Sequence, residues 1–416
     1  MKKNNVNFSI FIIGSLFFVF GFVTWLNSVL IPFLQTACEL NETQASLVNF
    51  AFYISYFVMA IPSSYILKKT GFSNGMALGL VIMAVGSILF VPAAMYRNYL
   101  LFLIGLFIQG TGLALLQTAA NPYVTILGPI ETAARRQSIM GVANKVAGMI
   151  GILILSSVVF SGSNELLEQI KTTVDPVLKE QLLVQLSRSV IVPYIIMTIV
   201  LIALMLFVKA AKLPEIDDEA NVSEEDKSDK SIFAYPYLWL GILALFFYVG
   251  VEVVTVTYLI PYGDALGIPT EISMHFPIYA LIALVIGYLL SILLVPRVLS
   301  QRALGIVNLI LAIILLLMAW LSSNPYVSIV SVILLSFTHA ILWPVIWPLS
   351  IQGLGKHTKL GSAFLIMSIA GGGVISIIYA AVAQRHGYQD AYSILLIAYI
   401  FMLFFVTIGS KIKKWS

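Results

Sequence analysis

Residues 110–129 read GTGLALLQTAANPYVTILGP. The stretch begins as apolar helix and is then interrupted by Gln117, Asn121 and Pro122. A lipid-facing helix surface excludes such residues, because a polar group in hydrocarbon finds nothing to bond to. Two amides four residues apart share one helical face. The segment therefore reads as a membrane-spanning helix with one face turned to a cavity or a neighbouring helix. Composition extends this reading to the whole chain. Of 416 residues, 60% are hydrophobic and 10% are charged, against roughly 25% charged in soluble domains. Apolar runs of about 20 residues, each enough to cross roughly 30 Å of hydrocarbon, recur from Phe8 to Gly409. The expected fold class is an all-α membrane protein.

Breaks at proline, glycine and charge clusters divide the chain into twelve expected spans: 8–34, 44–67, 74–95, 98–127, 136–160, 190–211, 234–262, 271–295, 302–321, 325–351, 360–384 and 388–409. The apolar run after MKKNNVNF is too long for a signal peptide and has no small-residue cleavage site, so it counts as the first span. With both termini placed in the cytoplasm, seventeen basic residues fall on inner loops and five on outer loops, while Lys145 lies within a span. This bias is the positive-inside pattern. The net charge of +4 thus sorts by membrane side and gives no reason to expect a nucleic-acid partner. Residues 212–233 are acidic and poor in aromatics, the composition of a flexible cytoplasmic linker. They separate two six-helix halves, 1–211 and 234–416, expected to be pseudo-symmetric. Weak self-similarity agrees: NPYVTILGPIETAARRQS closes span four and WPLSIQGLGKHTKLGS closes span ten. Each joins a proline-interrupted helix to a basic loop and a glycine-rich span. Interrupted helices at matching positions of two repeats point to a transporter with its site at the repeat interface.

Polar residues inside spans are the candidate functional groups. Of 19 acidic residues only Glu252 lies deep in an apolar span, and of 23 basic residues only Lys145 does. Two readings stand side by side. The two could pair and fix the bundle, or Glu252 could be the protonatable or cation-binding group of a coupled carrier. Span one carries TWLNS, with Thr24 and Ser28 on one face, Asn27 beside them and Trp25 adding an aromatic surface. Gln117 and Asn121 line span four, Asn144 lies in span five, Tyr258 in span seven, and His339 and Trp343 in span ten. Amides and hydroxyls beside aromatic rings suit a sugar, whose hydroxyls need donors and acceptors and whose C–H face packs on a ring. Each amide taken singly also fits helix–helix adhesion, and each tryptophan fits packing. The substrate-binding candidates are therefore Trp25, Asn27, Gln117, Asn121, Asn144, His339 and Trp343. Thr24, Ser28 and Tyr258 are secondary, and Glu252 with Lys145 is the coupling candidate.

Twelve spans in two halves resemble the major facilitator superfamily. QTAANPYVTILGP, with WLNSVLIPFL (25–34), FFYVGVEV (246–253) and GLGKHTKLGSAFLIMSIAGGG (353–373), resembles its fucose–galactose–glucose branch across nearly the whole chain. The resemblance implies a sugar importer of the bacterial inner membrane that works by alternating access, with a cavity lined by spans one, four, seven and ten. It also exposes two departures. Fucose-type symporters of the branch keep an essential Asp at the position of Ser28, and a carboxylate at the position of Gln117. Both proton-handling acids are absent here, so Glu252 is left as the candidate for H⁺ or Na⁺ linkage. A Lys145 ammonium beside it would instead favour a passive uniporter. A drug or lipid exporter of the same superfamily is the less favoured alternative, because such carriers tend to use apolar cavities with few amides. No nucleophile–base set, phosphate loop or metal-ligand spacing is visible, so no enzyme, cofactor or metal is expected. The single cysteine, Cys38, excludes an intramolecular disulfide. The expected partners are a small sugar, the lipid bilayer and, for a coupled carrier, H⁺ or Na⁺, with the protein as a monomer.

Overall fold

The computed structural model describes residues 3–40, 42–160, 166, 169–170, 172–211 and 231–413. Among them every regular element is helical. The helices are α1 (Lys3–Ala37), α2 (Glu42–Ile88), α3 (Phe90–Met95), α4 (Tyr99–Ile126), α5 (Ala133–Phe160), α6 (Pro176–Arg188), α7 (Ile191–Ala210) and α8 (Pro236–Thr257). They continue with α9 (Leu259–Ala265), α10 (Phe276–Leu294), α11 (Gln301–Leu321), α12 (Pro325–His339), α13 (Leu342–Ile351), α14 (Thr358–Met367), α15 (Gly371–His386) and α16 (Leu395–Thr407). Residues 212–230 of the expected linker lie outside the described residues; its end forms a 3-10 turn at Ile232–Ala234.

Ten helical stretches among the described residues are long and apolar enough to cross a membrane, and Ile10–Leu26 is a shorter apolar helix. Helix is the form that satisfies every backbone group without water. Local sequence sets several starts. Asp175 accepts from the Val177 amide with Pro176 behind it, and Asn324 accepts from Tyr326 and Val327 with Pro325 in the same role. The longest stretch, Leu47–Met95, holds 49 residues, roughly 74 Å if fully helical. It is interrupted at Gly71, whose φ of 76° and ψ of 176° only glycine adopts without strain.

Two compact units emerge from the packing. One comprises Met1–Phe17, Ala120–Val146 and Ile216–Ser416; the other comprises Phe18–Ala119 and Ala147–Glu215. In the first, α8 packs against α12, α13, α15 and α16. Its approach to α15 is very close: a Cβ on Gly371 would lie 2.1 Å from the Phe246 carbonyl oxygen, and one on Gly250 would lie 2.4 Å from Ile375 Cγ1. The GGG run at 371–373 therefore serves helix contact. Arg136 closes the C-terminus of α4 in the same unit. Its guanidinium donates to the carbonyls of Val124 (2.8 Å), Thr125 (2.7 Å), Gly128 (3.1 Å) and Pro129 (3.1 Å), oxygens that a helix end leaves unpaired.

In the second unit, α2 packs on α7, and α3 packs on α6 and α7. Gly79 of α2 and Gly112 of α4 let two backbones meet, each proposed Cβ falling under 3 Å from the other's carbonyl oxygen. Beyond the spans, Arg97 donates to the Ala37 carbonyl (2.8 Å) and pairs with Glu180 (2.5 Å), while Lys179 pairs with Glu39 (2.7 Å). The hydrogen bond from Lys179 holds the Glu39 carboxyl below its usual range.

One expectation is corrected. Asn121–Pro122 does not break span four: Pro122 sits inside α4, which continues to Ile126. Proline costs a helix one hydrogen bond and a bend rather than its continuity when neighbouring helices hold the segment. Span ten does break, at Ala340–Ile341 between α12 and α13, while Pro348 lies within α13.

Candidate functional site

Polar side chains within the spans gather into a few clusters. In the first unit, Lys145 of α5 and Glu252 of α8 are 5% and 7% exposed, and Nζ stands 2.9 Å from Oε1. Oε1 takes no aligned hydrogen bond among the described residues, so the contact is one of charge on charge. Tyr248, one turn earlier on α8, and Tyr288 of α10 lie within electrostatic reach of Glu252. Gly141, one turn before Lys145, makes room for that second tyrosine, since a Cβ there would lie 2.4 Å from Tyr288 Cε1. Nearby on the same two helices, Ser138 and Ser291 share a hydrogen bond of 2.9 Å. Burying either charge alone is expensive, and removing one partner of such a pair typically destabilises by about 3–5 kcal/mol. The ammonium and carboxylate therefore keep each other in the membrane interior.

The Tyr248 ring leads from this pair to an aromatic group at the α12–α13 break. It stands 6.1 Å from Trp343 and 6.5 Å from His339. Trp343 stacks on the fully buried Trp347 at 5.3 Å. His339 is fully buried, its Nε2 lies 2.6 Å from the Tyr399 hydroxyl, and its Nδ1 has no hydrogen-bond partner among the described residues. Asn144 is half-buried and donates to the Phe17 carbonyl at 3.4 Å. Asn121 is buried, and its backbone carbonyl accepts from Gln137 Nε2 (3.2 Å) and Thr125 Oγ1 (3.1 Å).

In the second unit, Gln117 donates to the Tyr56 hydroxyl at 3.2 Å, and Tyr56 also hydrogen-bonds with Thr24. Trp25 lies over Gly148, where a Cβ would stand 2.5 Å from the indole Cδ1. The side chains of Asn27 and Ser28 lie outside the described residues.

Of the residues expected from sequence, the fold thus brings together Lys145 with Glu252, His339 with Trp343 through Tyr248, and Gln117 with Thr24 through Tyr56. Tyr258 stands apart. It sits at the α8–α9 break, donates to the Ser376 carbonyl at 3.2 Å and packs on Tyr379 at 4.8 Å. The tyrosines that connect these groups escaped the sequence reading. Tyr248 alone carried a signal, lying one helical turn from Glu252. Among the described residues no group of His, Cys, Asp or Glu could hold a metal ion.

Comparison with known proteins places this geometry. Residues 13–379 match the family model described as the Major Facilitator Superfamily. A glucose/galactose transporter of Brucella abortus is 32% identical over 99% of this chain and 96% of its own length. An L-fucose-proton symporter of Escherichia coli is 31% identical over 90% of this chain and 86% of its own length. The crystal structure of the transporter FucP in the outward conformation superposes with a TM-score of 0.81 at 28% identity, covering 96% of this chain and 98% of that one. The proton:xylose symporter XylE shares the fold alone, with a TM-score of 0.68 at 16% identity. With a family match across most of its length and relatives that align end to end, the chain belongs to the Major Facilitator Superfamily.

Proposed function

We propose that the protein carries a monosaccharide, a hexose or deoxyhexose, inward across a bacterial inner membrane by alternating access. The observation that carries this reading is the alignment over 99% of the chain with a glucose/galactose transporter. The polar groups support it. Trp25, Asn27, Gln117, Asn121, Asn144, His339 and Trp343 offer amides, an imidazole and ring faces within apolar spans, as a sugar's alternating polar and C–H surfaces require. Thr24, Ser28 and Tyr258 are proposed as secondary contacts. Ten apolar stretches, with α1 added and the Leu47–Met95 stretch divided at Gly71, support twelve crossings and so termini on one side, and the bias of basic residues in the loops favours the cytoplasmic side. The halves 1–211 and 234–416 would be the repeats, and the working unit a monomer.

The test is counterflow in proteoliposomes loaded with unlabelled sugar, across a panel of hexoses, deoxyhexoses and N-acetylhexosamines. Saturable exchange of at least one labelled monosaccharide is expected. Exchange of hydrophobic cations with no sugar exchanged would replace this reading with the exporter alternative.

A further inference from the structure

We propose that Lys145 is a tethered counter-cation for Glu252, occupying the place that a co-transported H⁺ or Na⁺ would take, so that the carrier equilibrates its substrate without drawing on either gradient. The inference rests on the monosaccharide reading for its substrate but not for its physics. A carboxylate buried in a span must be neutralised in every state that the carrier visits, and neutralisation from solution is what links a cation gradient to transport. Here the neutralising charge is covalently part of the chain. Lys145 Nζ stands 2.9 Å from Glu252 Oε1, both groups are buried, and in the sequence no other Asp, Glu, Lys or Arg lies deep within an expected span. The groups that face the pair from the packed elements are uncharged hydroxyls, Tyr248 on α8 itself and Tyr288 on α10. Beyond Tyr248 the next titratable group is the buried His339 of α12, engaged by Tyr399.

The side chains carry a second clue. Tyr248 and Tyr288 are the phenols that interact electrostatically with Glu252, and Gly141, on the helix of Lys145, is what admits Tyr288. The charge that meets the carboxylate is thus the Lys145 ammonium of α5, with the phenols of α8 and α10 as uncharged neighbours. Removing the ammonium would leave a buried carboxylate with one unfilled cation position. Lys145→Ala should then recruit a proton or Na⁺ from solution and acquire the linkage that the native chain lacks.

Two measurements on the full-length protein test this. The first, thermal stability in detergent across 0 to 200 mM Na⁺ (as NaCl against choline chloride) and across pH 5.5 to 8, needs no sugar. The native protein is expected to show no specific Na⁺ or proton stabilisation, whereas K145A gains one, and K145A/E252Q, in which both charges are gone, loses it again. The second is sugar accumulation in proteoliposomes under imposed proton or Na⁺ gradients. The native protein is expected to reach an inside-to-outside ratio near one whichever gradient is applied, and K145A to exceed it severalfold. Accumulation by the native protein driven by either gradient and abolished in E252Q would overturn the proposal. So would Na⁺ stabilisation of the native protein that E252Q removes, or gradient-independent behaviour in a folded K145A. If K145A does not fold, the native protein and K145A/E252Q still decide, because the proposal requires both to be blind to the gradients. Absence of counterflow for every sugar would instead count against the monosaccharide reading, while the stability measurement would continue to judge the role of Lys145.

Discussion

At Gln117 a single amide tells packing apart from recognition. Its Nε2 donates to Tyr56, which is tied in turn to Thr24, so α1, α2 and α4 are stitched at one level. An amide side chain both donates and accepts, so it is chemically suited to a sugar hydroxyl in either orientation. Replacing it by leucine keeps the volume and removes the polar group. One lost hydrogen bond is worth about 1 kcal/mol, so Gln117→Leu is expected to raise the KM for the transported sugar about fivefold to tenfold, with a stability loss of about 1 kcal/mol from the buried Tyr56 hydroxyl that loses its donor. Tyr56→Phe, which deletes only the partner, should change KM by less than about threefold by the same reasoning. The opposite order, with Tyr56→Phe damaging and Gln117→Leu silent in counterflow kinetics, would make the amide a packing element. The ionic residues were legible beforehand for a simple reason: one deep acid and one deep base in a chain with 10% charged residues stand out. Their tyrosine neighbours were not. The chain holds 19 tyrosines, and the phenol that α10 brings near Glu252 is chosen by helix packing, which leaves no local mark in the sequence.

Among the helices, the contact between α8 and α15 is the most demanding, because backbone meets backbone there. A Cβ on Gly371 would fall 2.1 Å from the Phe246 carbonyl oxygen and 2.8 Å from its carbon. Neither atom can rotate away, so the helices must part, and the Glu252-bearing helix moves with them. Gly371→Ala is therefore expected to destabilise by about 1–3 kcal/mol and to lower the melting temperature in detergent. Gly14→Ala, where the nearest foreign atom is the Met140 methyl at 3.9 Å, should leave it unchanged. Equal effects at the two positions would rule out close approach as the cause. The helices themselves were readable from apolar run length: spans expected at 98–127 and 190–211 fold as Tyr99–Ile126 and Ile191–Ala210. Their interruptions were less so. Pro122 and Pro348 look like breaks and lie inside helices, whereas the actual turn at Ala340–Ile341 falls one helical turn before Pro344, which has no N–H to give the Ala340 carbonyl. Proline shifts the local balance, but the neighbours that replace a lost hydrogen bond are set by tertiary packing.

For the molecule as a whole, the decisive question is which ends face which side, and its single cysteine supplies a built-in reporter. Cys38 follows α1 in the turn before α2, half-buried beside Arg97. With the N-terminus cytoplasmic and α1 crossing once, that turn faces outward. Burial pushes the Cys38 thiol up to about 11, with the Arg97 charge pulling weakly the other way. The reactive species is the thiolate. At pH 7 roughly one thiol in ten thousand is ionised, and that fraction rises about tenfold per pH unit as pH approaches the raised value. A membrane-impermeant maleimide applied to intact cells is therefore expected to label Cys38 slowly at pH 7 and about a hundredfold faster at pH 9. In a Cys38→Ser background, Lys413→Cys, at an exposed position past the last helix, should react only once the membrane is opened. Labelling of Lys413→Cys on sealed cells would require an odd number of crossings or inverted ends, and the twelve-span topology would fall with it. Fast labelling of Cys38 at pH 7 would leave the topology intact, because sidedness and ionisation are read from different axes of the same experiment: access from the reagent's side, and burial from the slope against pH.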